Sequence, residues 1–439
     1  MSPGKKTCRF SRAESTISNN MKNSNVFKNS KPELLAPAGN FECLQAALHF
    51  GADAVYFSGK NFGLRAGADN FSNEEELAYA VALCHEKNKK AYIAVNVFAH
   101  NADFKELPGY LMFLSKISVD GLIVSDPGVF SLSKQYAPNV PIHLSTQANT
   151  TNRYAAAFWA EQGAERIVLA REMGLSEIRE LRNALPSFVE LEAFVHGAMC
   201  IAYSGRCLLS GVLTGRSGNR GACAQSCRWE YEIREKTRDG KYLTLTGDER
   251  GSYILNSKDM NLLRHLDKLT KAGIKSFKIE GRAKGAYYVA NTVNAYRRAI
   301  DYFWGNNKNV AVIDALDNEL YKAAHREYFT GFYFNDSNEP DSGQHVESSS
   351  PVQSYQFIAA VTGEKNGLTE IEQRNRFYVD DELEVLSPDC NFNKSFCVKA
   401  ICDKEGNFLT EAKRVQQILF LETGFTLRKG DMLRKKIQA

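Results

Sequence analysis

The sequence has no long apolar stretch: no run comes near the roughly 18 apolar residues that a membrane-spanning helix requires. It also lacks the basic start and apolar middle that mark a secretory signal peptide. None of its eight histidines lies in the H-E-x-x-H motif that many zinc proteases use. These absences favour a cytoplasmic protein with no membrane partner.

Beyond the first thirty residues, positive and negative charges almost balance. The whole chain carries +4, and residues 1–30 hold six basic side chains against one acid, which gives +5 there and −1 for the rest. Charge alone therefore does not indicate a nucleic-acid-binding domain. Because residues 1–30 also have little periodic apolar content, we predict that they form a disordered basic extension.

From residue 32 onward, short apolar or β-branched runs alternate with amphipathic, helix-like stretches. Continuous apolar runs are typical of strands that are buried on both faces, as in a parallel sheet. Eight strand–helix units fit a (β/α)8 barrel of the TIM type better than an open doubly wound sheet, so we predict this α/β fold for residues 31–340. The eight runs are 33–36, 54–57, 91–97, 121–124, 141–144, 166–169, 189–195 and 276–279.

The regular spacing breaks after the seventh run, because about 80 residues separate it from the eighth. We therefore predict a cysteine-rich insertion at about 197–258, on the face where barrel enzymes hold their active sites. Beyond residue 350, short strand-like runs are separated by turn signals. They predict a small C-terminal antiparallel β-barrel domain at 352–439.

Four of the ten cysteines lie inside this insertion, in a stretch of 28 residues: Cys200, Cys207, Cys223 and Cys227. In a cytosolic chain, clustered cysteines are more typical of metal ligands than of disulfides. Four thiolates can hold a tetrahedral zinc ion or an iron–sulfur cluster, and the wide C-x6-C spacing favours the cluster. Residues 197–229 also contain four arginines and no acid, which suits a centre of negative charge.

The run at 192–200 (EAFVHGAMC), followed after four residues by GRCLLS at 205–210, resembles the signature of the peptidase U32 family. Blocks at 32–39, 143–149 and 278–282 are similar to the family as well. The C-terminal domain and the continuation at 228–231 resemble the branch that takes part in tRNA hydroxylation. This resemblance implies a 4Fe–4S cluster on the four cysteines, tRNA as substrate, an electron donor as partner, and prephenate as hydroxyl donor for oxygen-independent formation of 5-hydroxyuridine at the wobble position.

Side chains at the carboxyl ends of barrel strands face the active site. Arginines there could bind the carboxylates of prephenate through paired hydrogen bonds, and histidines could transfer protons near neutral pH. The predicted substrate-binding residues are Arg65, Asn96, Ser145, Gln147, Arg171, Lys278 and Arg282, and the predicted catalytic residues are His143, His196 and Glu280. A structural role stays open for each; Lys278 and Glu280, for example, could brace the end of the barrel.

The leading hypothesis is an iron–sulfur enzyme that hydroxylates uridine in RNA, and two other functions stay open. The family label implies a peptidase acting on collagen-like proteins, although no nucleophile–base pair or metalloprotease motif is visible. A zinc-stabilised binding module without redox chemistry is the third interpretation. For RNA, a basic last segment predicts phosphate contacts through Lys413, Arg414, Arg428, Lys429, Arg434, Lys435 and Lys436.

Overall fold

The structure is a computed structural model that describes residues 31–64, 70–200, 202–229, 257–305, 309–334 and 351–437. The predicted extension at 1–30, the predicted substrate residue Arg65 and residues 230–256 of the insertion lie outside the described residues. Within the described ranges, every helix is too short or too polar to cross a bilayer.

Eight parallel strands close into a barrel. The first ten strands of the chain are β1 (Glu33–Pro37), β2 (Ala54–Phe57), β3 (Lys90–Val95), β4 (Gly121–Val124), β5 (Ile142–Leu144), β6 (Arg166–Val168), β7 (Glu190–Ala198), β8 (Asp259–Asn261), β9 (Ile274–Ile279) and β10 (Tyr328–Phe329). Strands β1 to β7 pair in sequence, and β9 pairs in parallel with both β7 and β1, which closes the ring. The predicted barrel is therefore confirmed, with strands at all eight predicted positions.

Helices connect the strands on the outside of the barrel. They are α1 (Phe41–His49), α2 (Glu74–Glu86), α3 (Leu107–Lys116), α4 (Pro127–Tyr136), α5 (Arg153–Glu161), α6 (Leu175–Ala184), α7 (Leu209–Thr214), α8 (Leu266–Lys271), α9 (Ala286–Trp304) and α10 (Val310–Leu320). Asn73 caps α2, because its side chain accepts a hydrogen bond from the Glu76 backbone N–H at 2.8 Å. The Glu76 carboxylate accepts in turn from the backbone N–H of Ser72, one residue before the N-cap.

The insertion begins where β7 ends, on the predicted active-site face. The end of β7 pairs in antiparallel fashion with β8, and β8 pairs in parallel with β10. This small addition to the barrel was not predicted, because runs of two or three residues carry no periodic signal. The described part of the insertion holds α7 and single turns of 3-10 helix at Gly218–Arg220 and Ser226–Arg228.

The C-terminal domain is a curled antiparallel sheet around its own core. Its strands are β11 (Tyr355–Lys365), β12 (Leu368–Gln373), β13 (Phe377–Tyr378), β14 (Glu382–Leu386), β15 (Ser395–Cys397), β16 (Ile401–Cys402), β17 (Phe408–Leu409), β18 (Glu411–Ala412), β19 (Ile418–Leu421) and β20 (Met432–Lys436). Eight of them form one sheet, in the order β15-β14-β20-β11-β12-β19-β16-β17. The predicted antiparallel β-domain is confirmed.

A fully buried arginine joins the two domains. Arg434 of β20 pairs with Glu319 of α10 and, at 2.6 Å, with Glu384 of β14. Its guanidinium also donates to the Asn291 side chain of α9 at 2.9 Å. Burial acts to lower the pKa of Arg434, but the charge of Glu319 and its other partners outweighs burial and raises it. The prediction that Arg434 contacts RNA is wrong, because the side chain is inaccessible and its charge holds the domains together.

Replacing Arg434 with leucine should lower the free energy of unfolding by roughly 3–5 kcal/mol, because Glu319 and Glu384 would stay buried without their main cationic partner. Urea unfolding followed by circular dichroism measures this loss. The matched control is Lys436→Leu, an exposed position on the same strand, which should change stability by no more than about 0.5 kcal/mol. Equal effects of the two variants would show that the buried ion pairs do not stabilise the joint.

Candidate active site and cysteine-rich loop

A cavity opens at the carboxyl ends of the barrel strands, with about 450 Å³ of space that includes open solvent at its mouth. Its apolar walls include Tyr56, Ile123 and Phe194. Six of the seven predicted substrate-binding residues line it together with Glu280, namely Asn96, Ser145, Gln147, Arg171, Lys278 and Arg282. The strand-end positions therefore bring these side chains together, as a barrel requires.

One wall of the cavity is a network of neutral polar side chains. The Asn96 amide donates to Gln147 Oε1 at 2.8 Å and accepts from the Leu64 backbone N–H at 3.2 Å. The Ser145 hydroxyl also donates to Gln147. Asn149 adopts the left-handed conformation, with φ of 53°, and its amide donates to the Gln147 carbonyl at 3.1 Å. Because these groups hold one another, the wall presents fixed donors and acceptors to a ligand.

The opposite wall carries charge. The Arg171 guanidinium lies 2.8 Å from the Glu280 carboxylate and stacks over the Phe194 ring, 4.0 Å from its centroid. The buried Nε of Arg171 has no hydrogen-bond partner among the residues that the structure describes. Arg282 donates to Ser58 and Asn70. A cavity with a buried N–H left for an acceptor suits an anionic ligand.

Lys278 lies at the floor of the cavity. Its Nζ is 2.8 Å from Glu192 and 4.3 Å from the centroid of the Tyr56 ring. Burial lowers the pKa of Lys278, and the charge of Glu192 opposes that effect. Glu192 also pairs with Arg166 at 3.0 Å, and Arg166 pairs with Glu33 at 2.7 Å. The barrel interior below the cavity is therefore a chain of buried ion pairs.

The two predicted catalytic histidines lie outside the cavity lining. His143 packs edge-on against Tyr92, with 4.6 Å between ring centroids. Burial, reinforced by the charges of Arg166 and Lys278, lowers the pKa of His143 well below its usual value. Burial likewise lowers the pKa of His196 to about 3. Both rings are therefore neutral near pH 7, and the geometry brings only Glu280 of the three predicted catalytic residues into the cavity.

The four cysteines of the loop lie close enough to sense one another's charge. Burial raises the pKa of Cys227, Arg228 opposes it, and the charges of the other three thiolates, Cys200, Cys223 and Cys207, raise it further. The Gln225 backbone N–H donates to Cys223 Sγ at 3.3 Å. None of the nine cysteines in the described ranges forms a disulfide. Among the described residues, no three His, Cys, Asp or Glu side chains surround a point that could hold a single metal ion.

The cysteine-rich loop is fastened over the cavity. Ser204 lines the cavity, and Gly205 has a φ of 73° and packs so closely that an added Cβ would lie 2.8 Å from Phe98 and 3.0 Å from Gln147. Only glycine fits both the left-handed conformation and this approach. On the other side of the loop, Arg220 forms two hydrogen bonds with Asp103, at 2.9 and 3.0 Å. These bonds lower the pKa of Asp103 to about 2.

A further cation, Arg326, lies near Cys227 without any pattern in the sequence that indicates it. Arg326 is buried and pairs with Asp259 at 3.2 Å. Burial and Arg228 lower the pKa of Arg326, whereas the charges of Asp259 and the Cys227 thiolate raise it. Lys284 likewise senses the charges of Asp259, Arg326 and Arg228. No sequence signal links Arg326 to cysteines about 100 residues earlier, so only the fold brings it there.

Comparison with known proteins identifies the family. The model of peptidase family U32 matches residues 39–343, and the model of that family's C-terminal domain matches residues 353–434. The chain belongs to peptidase family U32. The predicted family is therefore confirmed.

Three proteins with similar sequences illustrate how far the similarity extends. The chain is 39% identical to "tRNA hydroxylation protein P1" of Bacillus subtilis (strain 168), across 92% of this chain and 95% of that protein. It is 38% identical to "tRNA hydroxylation protein P" of Escherichia coli (strain K12), across 83% and 88%. It is 36% identical to "23S rRNA 5-hydroxycytidine C2501 synthase" of the same organism, across 61% of this chain and 39% of that protein.

The buried His196 ring should make stability depend on pH. Because the folded-state pKa of His196 is about 3, an unfolded chain takes up a proton below about pH 6.5 that the folded protein does not. This contribution to stability is fully present above about pH 6.5 and is lost progressively toward pH 3. His196→Phe should remove up to about 1.4 kcal/mol per pH unit of the slope between about pH 6 and pH 4. Urea unfolding at a series of pH values measures the slope.

The control for that experiment is Tyr296→Phe, which removes a hydroxyl 3.4 Å from His196 Nδ1 but leaves the histidine in place. Its slope should match that of the wild-type protein. A His196→Phe variant with the wild-type slope would contradict the assignment of a neutral buried ring.

Proposed function

We propose that this protein is an iron–sulfur enzyme that hydroxylates C5 of the wobble uridine of tRNA, with prephenate as hydroxyl donor and without molecular oxygen. The observation that carries the proposal is the approach of four thiols to one another in a loop fastened over a cationic cavity. The names of two relatives similar over most of their length support tRNA hydroxylation. The name of the third supports the alternative, hydroxylation of another RNA.

The donor set fits an iron–sulfur cluster better than a single ion. The four thiols are close enough for their charges to interact. Among the described residues, however, no three possible ligands are grouped tightly enough to hold one metal ion. Cubane irons spread their ligands over a larger volume than a zinc ion does. Arg228 and Arg326 supply positive charge beside a centre that four thiolates would make negative. A 4Fe–4S cluster on Cys200, Cys207, Cys223 and Cys227 would supply one-electron transfer at the cavity mouth, with an electron donor as partner.

The cavity fits a small dicarboxylate such as prephenate. Arg171 offers a buried N–H that has no acceptor among the described residues, and Lys278 offers an ammonium group at the floor. The Tyr56 and Phe194 rings can pack against an apolar carbon ring. The wall that includes Asn96 can hydrogen-bond a hydroxyl group. In this arrangement Arg171 and Lys278 bind and orient the donor, and Glu280, paired with Arg171, is the lining carboxylate that would take the proton from C5. The exchange balances when the donor gives its hydroxyl group to C5 and takes up the proton and the two electrons that leave C5, so that its C–OH bond becomes C–H.

The described lining of the cavity lacks a nucleophile paired with a base, which a serine peptidase requires. A serine nucleophile needs a base within hydrogen-bond reach, but the Ser145 hydroxyl donates to Gln147. Among the described residues that line the cavity there is no histidine, and both His143 and His196 are buried elsewhere. Proteolysis of collagen-like substrates is therefore the less supported function for this site.

The cluster itself can be tested through iron content. Protein purified without oxygen should be brown, with broad visible absorption and about four irons per chain. Cys227→Ser should lose most of the iron, because it removes one of the proposed ligands. The matched control is Cys390→Ser, an exposed cysteine of the β-domain, which should retain wild-type iron. A colourless wild-type protein with one zinc per chain would instead support the zinc-binding module.

Nucleoside analysis of tRNA tests the reaction. A strain that lacks the gene should lose 5-hydroxyuridine and its derivatives, and the wild-type gene or Cys390→Ser should restore them. Cys227→Ser and Arg171→Gln should not, because one lacks a cluster ligand and the other lacks the proposed carboxylate contact. Unchanged tRNA in the deletion strain would contradict the proposal, and a strain unable to make prephenate that still carries the modification would exclude that donor.

A further inference from the structure

We infer that the exposed face of the cysteine-rich loop, defined here by Tyr203, Arg206, Arg216 and Trp229, is the surface on which single-stranded RNA docks. We call it the loop face. This inference deepens the proposed function and rests on it, because it takes RNA to be the substrate. It also rejects the expectation that the basic end of the β-domain is the main RNA contact.

Two aromatic rings and two arginines are exposed on the loop face. Tyr203 and Trp229 are 48% and 44% exposed, and the side chains of Arg206 and Arg216 are exposed as well. Rings beside arginines are typical of surfaces that bind single-stranded nucleic acids, because bases stack on the rings while guanidinium groups bind phosphates. Exposed Leu208 and Val212 on the same loop would suit a protein partner. Four arginines and no acid at 197–229 favour the polyanion instead.

The part of the loop face formed by Tyr203 and Arg206 lies beside the cavity. Ser204, next to Tyr203 in the chain, lines the cavity. The Arg206 backbone N–H donates to the Tyr203 carbonyl at 3.0 Å, so both residues belong to one turn. The Arg206 guanidinium lies over the Phe98 ring, 5.2 Å from its centroid. A base stacked on Tyr203 would therefore sit at the edge of the cavity, where a neighbouring base could enter.

Four of the seven basic residues on the competing surface of the β-domain already face carboxylates, whereas Arg414, Lys429 and Lys436 are exposed. Arg434 is fully buried between the domains. Lys413 pairs with Glu411 at 2.9 Å, Arg428 with Asp389 at 3.0 Å, and Lys435 with Asp381. A cation that already faces a carboxylate releases little free energy when it meets a phosphate. Among the described residues, no carboxylate forms an ion pair with Arg206 or Arg216 of the loop face. The described residues that line the cavity include Ser204 of the loop and none of the β-domain, so the loop is the better placed of the two surfaces.

The test measures the affinity of full-length protein, purified without oxygen, for a labelled oligouridylate of about twelve nucleotides by fluorescence anisotropy. Tyr203→Ala and Trp229→Ala should each weaken binding about 5- to 100-fold, because each removes a stacking ring. Arg206→Gln and Arg216→Gln should each reduce the slope of log affinity against log salt by about 0.7, because each removes one phosphate contact. Tyr203→Phe keeps the ring and should bind like the wild-type protein.

Two controls carry the same kind of change elsewhere. Arg179→Gln alters an exposed arginine of α6, and Lys429→Gln alters an exposed lysine of the competing surface; both should bind RNA like the wild type. If the four loop variants bind like the wild type, the inference is overturned, in favour of the β-domain when Lys429→Gln weakens binding and of a protein partner when it does not. A wild-type protein that fails to bind the oligouridylate overturns it as well.

The nucleoside analysis separates this inference from the proposed function. Normal 5-hydroxyuridine in a Tyr203→Ala strain, together with unchanged RNA binding by that variant, would contradict the inferred docking surface but not the proposed function. Unchanged tRNA in the deletion strain removes the function. Thermal unfolding and iron content of each variant, expected to equal those of the wild type, exclude loss of binding through misfolding.

Discussion

The buried ion pair between Lys278 and Glu192 is the interaction on which the candidate site depends. Both side chains are at least nine-tenths buried, and an ion in such a place is stable only when its charge is paired and hydrogen-bonded. Glu192 meets this demand from two sides, because it binds Lys278 above and Arg166 below. The ammonium group is thereby held at the cavity floor, where apolar side chains would close an ordinary barrel.

The cysteine-rich loop adds a second electrostatic constraint at the cavity mouth. Four thiolates in one loop repel one another, and the chain offsets this with arginines in the loop and with Arg326 from the end of the barrel. The Arg220–Asp103 pair and the close approach of Gly205 fix the loop against the barrel. The same contacts that would hold a cluster therefore also decide which groups border the cavity.

The sequence predicted the parts that depend on local pattern. Continuous apolar runs marked all eight barrel strands, and counting strand ends was enough to gather Asn96, Gln147 and Arg171 at one cavity. Contacts between residues far apart in the sequence could not be predicted from local patterns. The segment Met432–Lys436 has three basic residues and resembles a solvated surface, yet it forms β20, because Glu319 and Glu384 from elsewhere neutralise Arg434.

The distribution of acids explains why the two faces of this protein differ in what they attract. Several basic residues of the β-domain face carboxylates, so they shape the domain and its joint with the barrel. Among the described residues that line the cavity, Arg171, Lys278 and Arg282 face one carboxylate, Glu280, and the adjoining segment at 197–229 has no acid. Clefts lined by one sign of charge concentrate ligands of the opposite sign. The proposed dicarboxylate and the proposed RNA substrate would therefore be drawn to the same end of the barrel, which is a condition for a reaction between them.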